Sequence, residues 1–416
     1  MKILQINNIH YRRGGADIVY LNTGKLLENH GHQVFYFSQK NDRNESVNSD
    51  NYFIKETNYF DKSLIKKIQS IPRFFHSKES KKQLSKLISE IRPDIAHIHL
   101  YKGTLTPSIL EVLKINNIPI IISLHDYGLL CPHNLMLDGK MNICSKCVNG
   151  SSLNCITNKC NRNNLFLSAV SSFEYIFHKT FFPFEKYFDK IITVSKFGFQ
   201  MHQKSKSLYD KIDHLYNFYP DLNQTKINSN KGKYIIYFGR LSAEKGVETL
   251  FDAWLMKERK SQLKIVGTGE LFEELYRKSI GSSTIEMLGF KSGDELNTLI
   301  KEASFIIVPS EWYENNPLTI IEAYANGKPV IGSNVGGIPE IINDGDTGFL
   351  FDMGSVNDLS DKITKADSID ELEYYRLSTN ARKFADEHFS EESHYNSLIS
   401  IYEDLINYKN KVNRKI

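Results

Sequence analysis

A short acidic segment in the second half of the chain is the strongest indication of chemistry. Residues 311–327 read EWYENNPLTIIEAYANG and follow a predicted strand that ends at Pro309. Asn316 is a good N-cap and Pro317 a good first helical residue, so we expect a helix to begin there. The backbone amides left unpaired at this positive helix end suit a phosphate group. They belong to Leu318, Thr319 and Ile320.

Two carboxylates flank this predicted phosphate site. Glu314 lies in the loop before the helix, and Glu322 lies about a turn and a half inside it. A carboxylate beside a phosphate is unfavourable unless it faces hydroxyl groups, so both glutamates are interpreted as ligands for sugar diols. The alternative is an ordinary loop-to-helix junction that carries two surface acids.

A second charged segment follows another predicted strand. The chain reads YFGRLSAEKG over residues 237–246, which places Arg240 and Lys245 just after a strand that ends at Gly239. Arginine binds phosphate in a bidentate manner and lysine acts as a mobile charge, so together they can neutralise a diphosphate. A pair of surface cations is the alternative. Open α/β sheets bind ligands at the carboxyl ends of their strands, where both segments fall.

The first half of the chain offers weaker candidates. Gly15, in the run RRGG after the first predicted strand, allows backbone to approach a ligand, although a tight turn also needs glycine. His125 ends a buried strand and is expected to face a cleft, with a structural role about as well supported as a functional one. His97 and His99 alternate along a strand and are interpreted as structural.

Length and composition exclude several classes of protein. The 416 residues suffice for two or three domains, and the net charge of +3 lacks the footprint of a nucleic-acid binder. No apolar run reaches the roughly 18–20 residues of a membrane span. The polar N-terminus does not resemble a signal peptide, so we expect a cytoplasmic protein.

Short apolar runs alternate with helical stretches, which predicts an α/β fold of two doubly wound, Rossmann-like domains facing a cleft. Residues 217–233 are rich in Asn and are interpreted as an exposed connector. We therefore predict an N-terminal domain over 1–220, a C-terminal domain over 221–390, and a final helix over 391–416 that packs back on the first domain. The predicted strands are Lys2–Asn7, Val34–Ser38, Ile95–Leu100, Ile118–Leu124, Lys190–Ser195, Tyr234–Gly239, Gln262–Val266, Thr284–Gly289, Phe305–Pro309, Pro329–Gly332 and Gly348–Asp352.

All five cysteines lie in one insertion over residues 131–160. The spacing of Cys144, Cys147, Cys155 and Cys160 resembles a four-thiolate zinc site, although the central loop is shorter than in common zinc ribbons. Structural zinc and free thiols are both open interpretations, and Cys131 is expected to pack inside.

The segment Lys62–Lys82 carries seven Lys or Arg residues and one Glu, interleaved with aliphatic and aromatic residues. A basic amphipathic stretch of this kind binds an anionic membrane surface. A solvated helix with one buried face, broken at Pro72, is the equally supported alternative.

Taken together, these motifs resemble the retaining glycosyltransferases of family 4, also called glycosyl transferase group 1, which have the GT-B fold. The resemblance covers nearly the whole chain and rests on four motifs. They are FGR-x4-KG over 238–246, Glu314-x7-Glu322, GKPVIGSNVGGIPE over 327–340, and the tail NDG-x2-GFLF over 343–351.

The resemblance implies a nucleotide-sugar donor in the second domain and an acceptor in the first. Arg240 and Lys245 would hold the diphosphate, helped by the helix amides after Asn316, at Leu318 and Thr319. Glu322 would bind the ribose and Glu314 the transferred sugar. Gly15 would approach the donor phosphate, and His125 would contact the sugar and help to stabilise the transition state. No cofactor is required for catalysis in the family.

The sequence differs from the family pattern in two places, and three alternative functions are considered. Pro317 replaces a glycine found in many relatives and removes one amide donor. The cysteine-rich insertion occurs in a subset that builds bacterial surface polysaccharides, which favours a glycan or lipid-linked acceptor and, as the default, a UDP-sugar donor. The rivals are a nucleotide-sugar epimerase of the same fold, a degenerate non-catalytic subunit, and a nicotinamide enzyme, which the missing GxGxxG motif disfavours.

Overall fold

Two six-stranded parallel sheets form the framework of the protein. The computed structural model describes residues 1–56, 75–204, 210–225, 227 and 229–413. The first sheet has the order β2-β1-β3-β4-β5-β6 and the second has the order β12-β11-β10-β7-β8-β9, with every pairing parallel. The fold class is therefore the predicted one, α/β with two doubly wound sheets.

The strands of the first sheet are β1 (Lys2–Ile6), β2 (Gln33–Phe37), β3 (Ile95–Ile98), β4 (Ile120–Leu124), β5 (Lys190–Thr193) and β6 (Ile212–His214). Those of the second sheet are β7 (Tyr234–Phe238), β8 (Gln262–Val266), β9 (Ile285–Gly289), β10 (Phe305–Val308), β11 (Val330–Ser333) and β12 (Gly348–Phe351). All eleven predicted strands are present with ends shifted by two residues or fewer. The strand β6 was not predicted, because three residues at a sheet edge carry too little periodicity.

Helices cover both faces of each sheet, as parallel sheets require. Those of the first half are α1 (Gly15–Asn29), α2 (Lys78–Ile91), α3 (Ser108–Ile115), α4 (Asn154–Thr157), α5 (Leu165–Phe181), α6 (Phe184–Tyr187) and α7 (Lys196–Gln203). Those of the second half are α8 (Val247–Leu255), α9 (Phe272–Ser279), α10 (Gly293–Glu302), α11 (Leu318–Ala325), α12 (Val356–Ser368), α13 (Glu371–His388) and α14 (Glu391–Asn413). Short 3-10 turns occupy Asp50–Tyr52, Leu222–Gln224 and Ala243–Lys245.

Burial on both faces explains the composition of the strands. All five residues of β4, with the sequence IIISL, are buried. On α8 the apolar positions recur at helical spacing, and each of them is at most 1% exposed. This stripe consists of Val247, Leu250, Phe251 and Trp254.

The final helix α14 lies against the first sheet although it follows the second in sequence. Leu398 and Tyr402 share a buried cluster with Ile3, Ile95 and residues of β4 and β5. The Tyr402 hydroxyl lies 2.6 Å from Nδ1 of the buried His97. The C-terminal helix thereby ties the two halves of the chain together.

The connector between the sheets is partly buried, which differs from the exposed connector that we predicted. Asn217, Phe218 and Leu222 are each at most 4% exposed. Phe218 packs against His394 of α14, with the ring centroids 4.6 Å apart. Contacts with both halves of the molecule thus override the polar composition of this segment. Within the described part of the chain, no helix is long and apolar enough to cross a membrane.

Candidate functional site

The two charged segments predicted from the sequence meet at the carboxyl ends of β7 and β10. Lys245 Nζ lies 2.6 Å from Glu314 Oε1, and the side chains are 26% and 8% exposed. Ser310 donates a second hydrogen bond of 2.7 Å to the same carboxylate oxygen. The lysine also lies 5.0 Å from the Trp312 ring centroid. The predicted diphosphate ligand and the predicted sugar ligand therefore form one ion pair.

Two glycines allow this close packing of loops. Gly246 has φ +64°, and a Cβ there would lie 1.9 Å from the carbonyl oxygen of Pro309. Gly336 has φ +59°, and its Cβ would lie 2.5 Å from the carbonyl oxygen of Glu314. Only glycine satisfies both the positive φ and the lack of space. These glycines hold the Lys245 and Glu314 loops in contact.

The start of α11 differs by one residue from the prediction. The N-cap is Pro317, and the helix begins at Leu318. Asn316 does not cap the helix, because its Oδ1 accepts a hydrogen bond of 2.9 Å from the backbone amide of Asn217 in the connector. The buried Asn316 side chain therefore fixes the loop to the connector, and its Nδ2 has no partner within the described residues.

Two amides at this helix end have no protein acceptor among the described residues, namely those of Leu318 and Thr319. The amide of Ile320, which we also expected to be unpaired, donates to the carbonyl oxygen of Pro317 at 3.0 Å. A 3-10-type bond of this kind commonly tightens the first turn of a helix. The predicted anion site at this terminus would therefore have two free amides and not three.

Glu322 lies on the same helix, one turn beyond these amides. Burial raises the pKa of its carboxyl group to about 7. A buried acid without a cationic partner is unfavourable in its charged form, and hydroxyl donors from a ligand would stabilise that form.

Arg240 follows β7, and Gly15 begins the first helix of the other domain. The Arg240 side chain is 66% exposed and its guanidinium lies 4.0 Å from Glu244. Gly15 begins α1 on the opposite side of the cleft, and a Cβ there would lie 3.7 Å from Leu318 Cδ1. The start of the first helix in one domain therefore faces the start of α11 in the other.

His125 follows β4 and is hydrogen bonded to His99, which lies just beyond the end of β3. His97, inside β3, bonds to Tyr402 and Ser123 instead. His99 Nε2 lies 3.1 Å from Gln5 Oε1, and His99 Nδ1 lies 2.9 Å from His125 Nε2. Because the Gln5 oxygen only accepts, His99 carries its proton on Nε2 and His125 donates from its own Nε2. Burial lowers the pKa of His125 to about 4, so the ring is neutral at pH 7. The remaining atom, His125 Nδ1, is then an acceptor.

The two domains are joined beside this site by polar contacts. Ser195 Oγ donates to Asn315 Oδ1 at 2.6 Å, and Asn315 Nδ2 donates to the carbonyl oxygen of Leu124 at 3.3 Å. Glu340 accepts from the backbone amides of Lys196 and Phe197 at 3.0 and 2.9 Å, which places a carboxylate at the N-terminus of α7. The loops of the second domain are thus fixed to the strand ends of the first.

Sequence reasoning missed two residues near the cleft. Glu340 ends the motif GKPVIGSNVGGIPE. Its contact with α7 could not be predicted from that motif, because the two lie about 140 positions apart in the sequence. Lys102 lies after β3, and its ammonium group donates to the carbonyl oxygen of Gly128. The position of Lys102 just beyond a predicted strand could have indicated that it lies near the cleft.

The cysteines cluster without forming a metal site in the described structure. All five thiols are free, and the Cys155 thiol is hydrogen bonded to Cys160, which holds the pKa of Cys160 below its usual value. Among the described residues, no group of three or more His, Cys, Asp or Glu is arranged to hold a metal ion. Zinc binding by Cys144, Cys147, Cys155 and Cys160 stays a prediction from their spacing. Cys131 is buried, as expected.

Two family models match consecutive parts of the chain. The model described as Glycosyltransferase Family 4 matches residues 13–220, and the model described as Glycosyl transferases group 1 matches residues 221–384. Among curated relatives, an uncharacterized glycosyltransferase of Methanocaldococcus jannaschii is 34% identical over 221 residues. That match covers 52% of this chain and 60% of the relative.

Solved structures share the fold over nearly the whole chain. The sucrose-phosphate synthase of Thermosynechococcus elongatus has a TM-score of 0.73 at 18% identity, covering 98% of this chain and 99% of its own. Anabaena HepE, in complex with UDP-glucose, has a TM-score of 0.68 at 17% identity, covering 97% and 100%. Together with the two family models, which span residues 13–384, these matches show that the chain belongs to the group 1 glycosyltransferases of the GT-B fold.

Proposed function

We propose that the protein is a retaining glycosyltransferase that moves a sugar from a nucleotide-sugar donor to a hydroxyl group of a glycan or lipid-linked acceptor. The observation that carries the proposal is the grouping of Lys245, Glu314 and Glu322 with the two unpaired amides at the start of α11. A nucleotide sugar has the complementary groups, because its diphosphate can accept from the lysine and the amides and the hydroxyls of its ribose and sugar can donate to the two glutamates. A UDP-sugar is the proposed donor, in line with the UDP-glucose complex of HepE.

Lys245 is the proposed main ligand of the diphosphate. In the described structure it neutralises Glu314, so a bound diphosphate competes for the same ammonium group. Arg240 is exposed, which leaves its guanidinium free for the proposed contact with the second phosphate. The amides of Leu318 and Thr319 add two fixed donors at a positive helix end.

The carboxylates then bind the two sugars of the donor. Glu322 accepts hydrogen bonds from the ribose hydroxyls, which compensates the ionisation of a buried acid. Glu314, once its lysine is shared with the diphosphate, accepts from a hydroxyl of the transferred sugar. The neutral His125 offers Nδ1 to another hydroxyl of that sugar.

In the transfer step, the bond between the anomeric carbon and the diphosphate oxygen breaks while the acceptor oxygen bonds to the same face of that carbon. The departing diphosphate takes the proton from the acceptor hydroxyl. Negative charge grows on the leaving group, and fixed donors around it are the main catalytic contribution. Lys245, Arg240 and the two helix amides supply those donors.

A thermal-shift panel tests the donor site. UDP, GDP, ADP and their sugars are added, with EDTA present, to the wild type and to the Arg240→Ala/Lys245→Ala variant. A ligand at a hundredfold its dissociation constant stabilises by about 2.7 kcal/mol, a readily visible shift. We expect one nucleotide family to stabilise the wild type and not the double variant.

A matched control removes two positive charges elsewhere in the same domain. Arg277 and Lys278 lie on α9, where Lys278 forms a surface ion pair of 2.7 Å with Glu274. The Arg277→Ala/Lys278→Ala variant is expected to keep the full nucleotide shift. If no nucleotide stabilises the wild type, or if both double variants respond alike, the proposed donor site is wrong.

The acceptor is proposed to be presented at an anionic membrane surface, at the cytoplasmic face, during the synthesis of a bacterial surface polysaccharide. The basic segment Lys62–Lys82 motivates this, although residues 57–74 lie outside the described residues. Supporting it, three aromatic side chains at seven- and eight-residue spacing project from α5. Phe166, Phe173 and Phe181 are 69%, 55% and 63% exposed.

Vesicle sedimentation tests the membrane proposal. The wild type is expected to bind vesicles that contain phosphatidylglycerol and not vesicles of phosphatidylcholine alone. The Phe166→Ser/Phe173→Ser/Phe181→Ser variant and a Lys66→Gln/Lys67→Gln variant are each expected to lose most of that binding. Equal binding of the wild type and both variants would refute the proposal.

A further inference from the structure

Two adjoining cavities lie at the carboxyl ends of β3 and β4, beside His125. Their volumes are about 200 and 190 Å3, and together they reach the lower part of the range, roughly 300–1,000 Å3, of small-molecule sites. Lys102 and Asn134 line both of them. One cavity continues to Glu174 and His133, and the other continues to His125. We refer to them together as the Lys102 cavities.

Their walls carry buried polar atoms that lack partners. Within the described residues, Glu174 Oε1, His133 Nδ1 and Tyr101 Oη are buried and form no hydrogen bond. The Lys102 ammonium group has three N–H donors, and the carbonyl oxygen of Gly128 accepts one of them. Unpaired buried polar groups are strongly unfavourable, so a ligand rich in hydroxyl groups would be stabilised here.

The charges around Lys102 favour a neutral ligand. Glu174 lines one cavity and Asp126 the other, each together with Lys102, so the site has no surplus positive charge. Burial raises the pKa of Glu174 to about 7, because a charged acid is poorly solvated there. A sugar carboxylate or phosphate would add another negative charge beside these two acids. Sugar hydroxyls, by contrast, donate to the carboxylate and accept from the ammonium group.

Gly128 keeps the centre of the cavities open. A Cβ at this position would lie 2.9 Å from Asp126 Oδ1, 3.1 Å from Asn134 Oδ1 and 3.4 Å from Lys102 Nζ. Three polar groups of different residues therefore converge on the volume that a side chain would fill. An alanine there would narrow the cavity and displace these groups.

The cysteine-rich insertion and α5 build the outer wall. His133 and Asn134 come from the start of the insertion, and Ser171, Glu174 and Tyr175 come from α5. Tyr175 is fixed by a hydrogen bond of 2.9 Å from its hydroxyl to the carbonyl oxygen of Leu129. The helix that presents exposed phenylalanines to solvent thus lines the cavities with its other side.

We propose that the Lys102 cavities bind a neutral, unphosphorylated sugar ring of the acceptor, with its hydroxyls between Lys102 and Glu174. The inference rests on the proposed function, because it places the acceptor ring next to His125 and hence next to the transferred sugar. It also assigns a role to the cysteine-rich insertion, which shapes one wall of an acceptor site.

Saturation-transfer NMR on the 416-residue chain tests this site. The probes are the methyl glycosides of glucose, galactose, mannose, N-acetylglucosamine and glucuronic acid, each measured with UDP in the same tube. We expect at least one neutral glycoside to bind the wild type more tightly than the glucuronide. The Glu174→Gln and Gly128→Ala variants are expected to bind that glycoside at least tenfold more weakly.

The matched control is Glu185→Gln, which makes the same change at an exposed acid on α6. It is expected to bind the glycoside as the wild type does, and the UDP signal is expected to persist in every variant, which also shows that each is folded. The inference is overturned if no neutral glycoside binds, if Glu174→Gln and Gly128→Ala bind as well as the control, or if the glucuronide binds best. Absence of UDP binding by the wild type would refute the proposed UDP-sugar donor instead, and leave the test of the cavities to be read from the glycosides alone.

Discussion

The ion pair between Lys245 and Glu314 allows a quantitative prediction about the stability of the second domain. The carboxylate is 8% exposed, and its two partners are the ammonium group at 2.6 Å and the Ser310 hydroxyl at 2.7 Å. The Lys245→Met variant keeps the length of the side chain and leaves the buried acid without its cation. Breaking a buried pair in this way lowers the free energy of unfolding by about 3–5 kcal/mol.

Two features reduce the expected loss. Lys245 is 26% exposed, so solvent screens part of the attraction, and Ser310 keeps its hydrogen bond to the acid. We therefore expect Lys245→Met to lower the free energy of unfolding by about 2 kcal/mol at pH 7. Adding Glu314→Gln removes the uncompensated charge, so the double variant is expected to lie within about 0.5 kcal/mol of the wild type.

Tryptophan fluorescence during urea unfolding is the assay. The chain has two tryptophans, Trp254 and Trp312, and both lie in the second domain, so the signal reports that domain alone. If Lys245→Met leaves the transition unchanged, the ion pair does not stabilise the fold. If adding Glu314→Gln does not restore stability, the loss comes from removing the lysine side chain itself and not from leaving the Glu314 carboxylate without its cation.

Three further predictions concern neighbouring groups. Burial raises the pKa of Glu322 to about 7, from an ordinary value of 4.5, so the folded chain retains this proton and its stability falls as the pH rises from 4.5 to 7. Glu322→Gln is therefore expected to exceed the wild type in urea-unfolding stability by about 3 kcal/mol at pH 8 and to match it near pH 4. Glu340→Gln weakens the two bonds to the start of α7, so faster proteolysis between the domains is expected, whereas unchanged cleavage would refute a joining role. Tyr402→Phe removes the hydrogen bond to His97, which is expected to cost about 1 kcal/mol and to lower the melting temperature of the first domain in calorimetry. An unchanged melting temperature would show that α14 docks through its apolar contacts alone.

Strands and strand-end positions were predictable from the sequence because local patterns determine them. Apolar runs of β-branched residues form the buried parallel strands, and the carboxyl ends of those strands fix where Arg240, Glu314 and His125 can lie. The helical stripe of α8 likewise follows from residue spacing alone. In these cases the tertiary structure agrees with the local preference.

Side-chain partners across long separations were not predictable. Asn316 has the composition of an N-cap, but its side chain instead bonds to Asn217, which lies 99 positions away. Lys245 and Glu314 are 69 positions apart, and each motif taken alone assigns them to different parts of the donor. Which acceptor a polar side chain chooses depends on the packing of the whole domain. The Lys102 cavities illustrate the same limit, since Lys102 and Glu174 belong to no recognised motif.

Real-time proton NMR of donor cleavage is the direct test of the proposed retaining sugar transfer. The nucleotide sugar that stabilises the protein in the thermal panel is incubated with the wild type and with Lys245→Ala, in the presence of the neutral glycoside that binds. For an α-linked donor, we expect loss of the donor anomeric signal, release of the nucleoside diphosphate and a product of α configuration, all strongly reduced in Lys245→Ala. An intact donor, a β-configured product, or equal rates for the two proteins would contradict it.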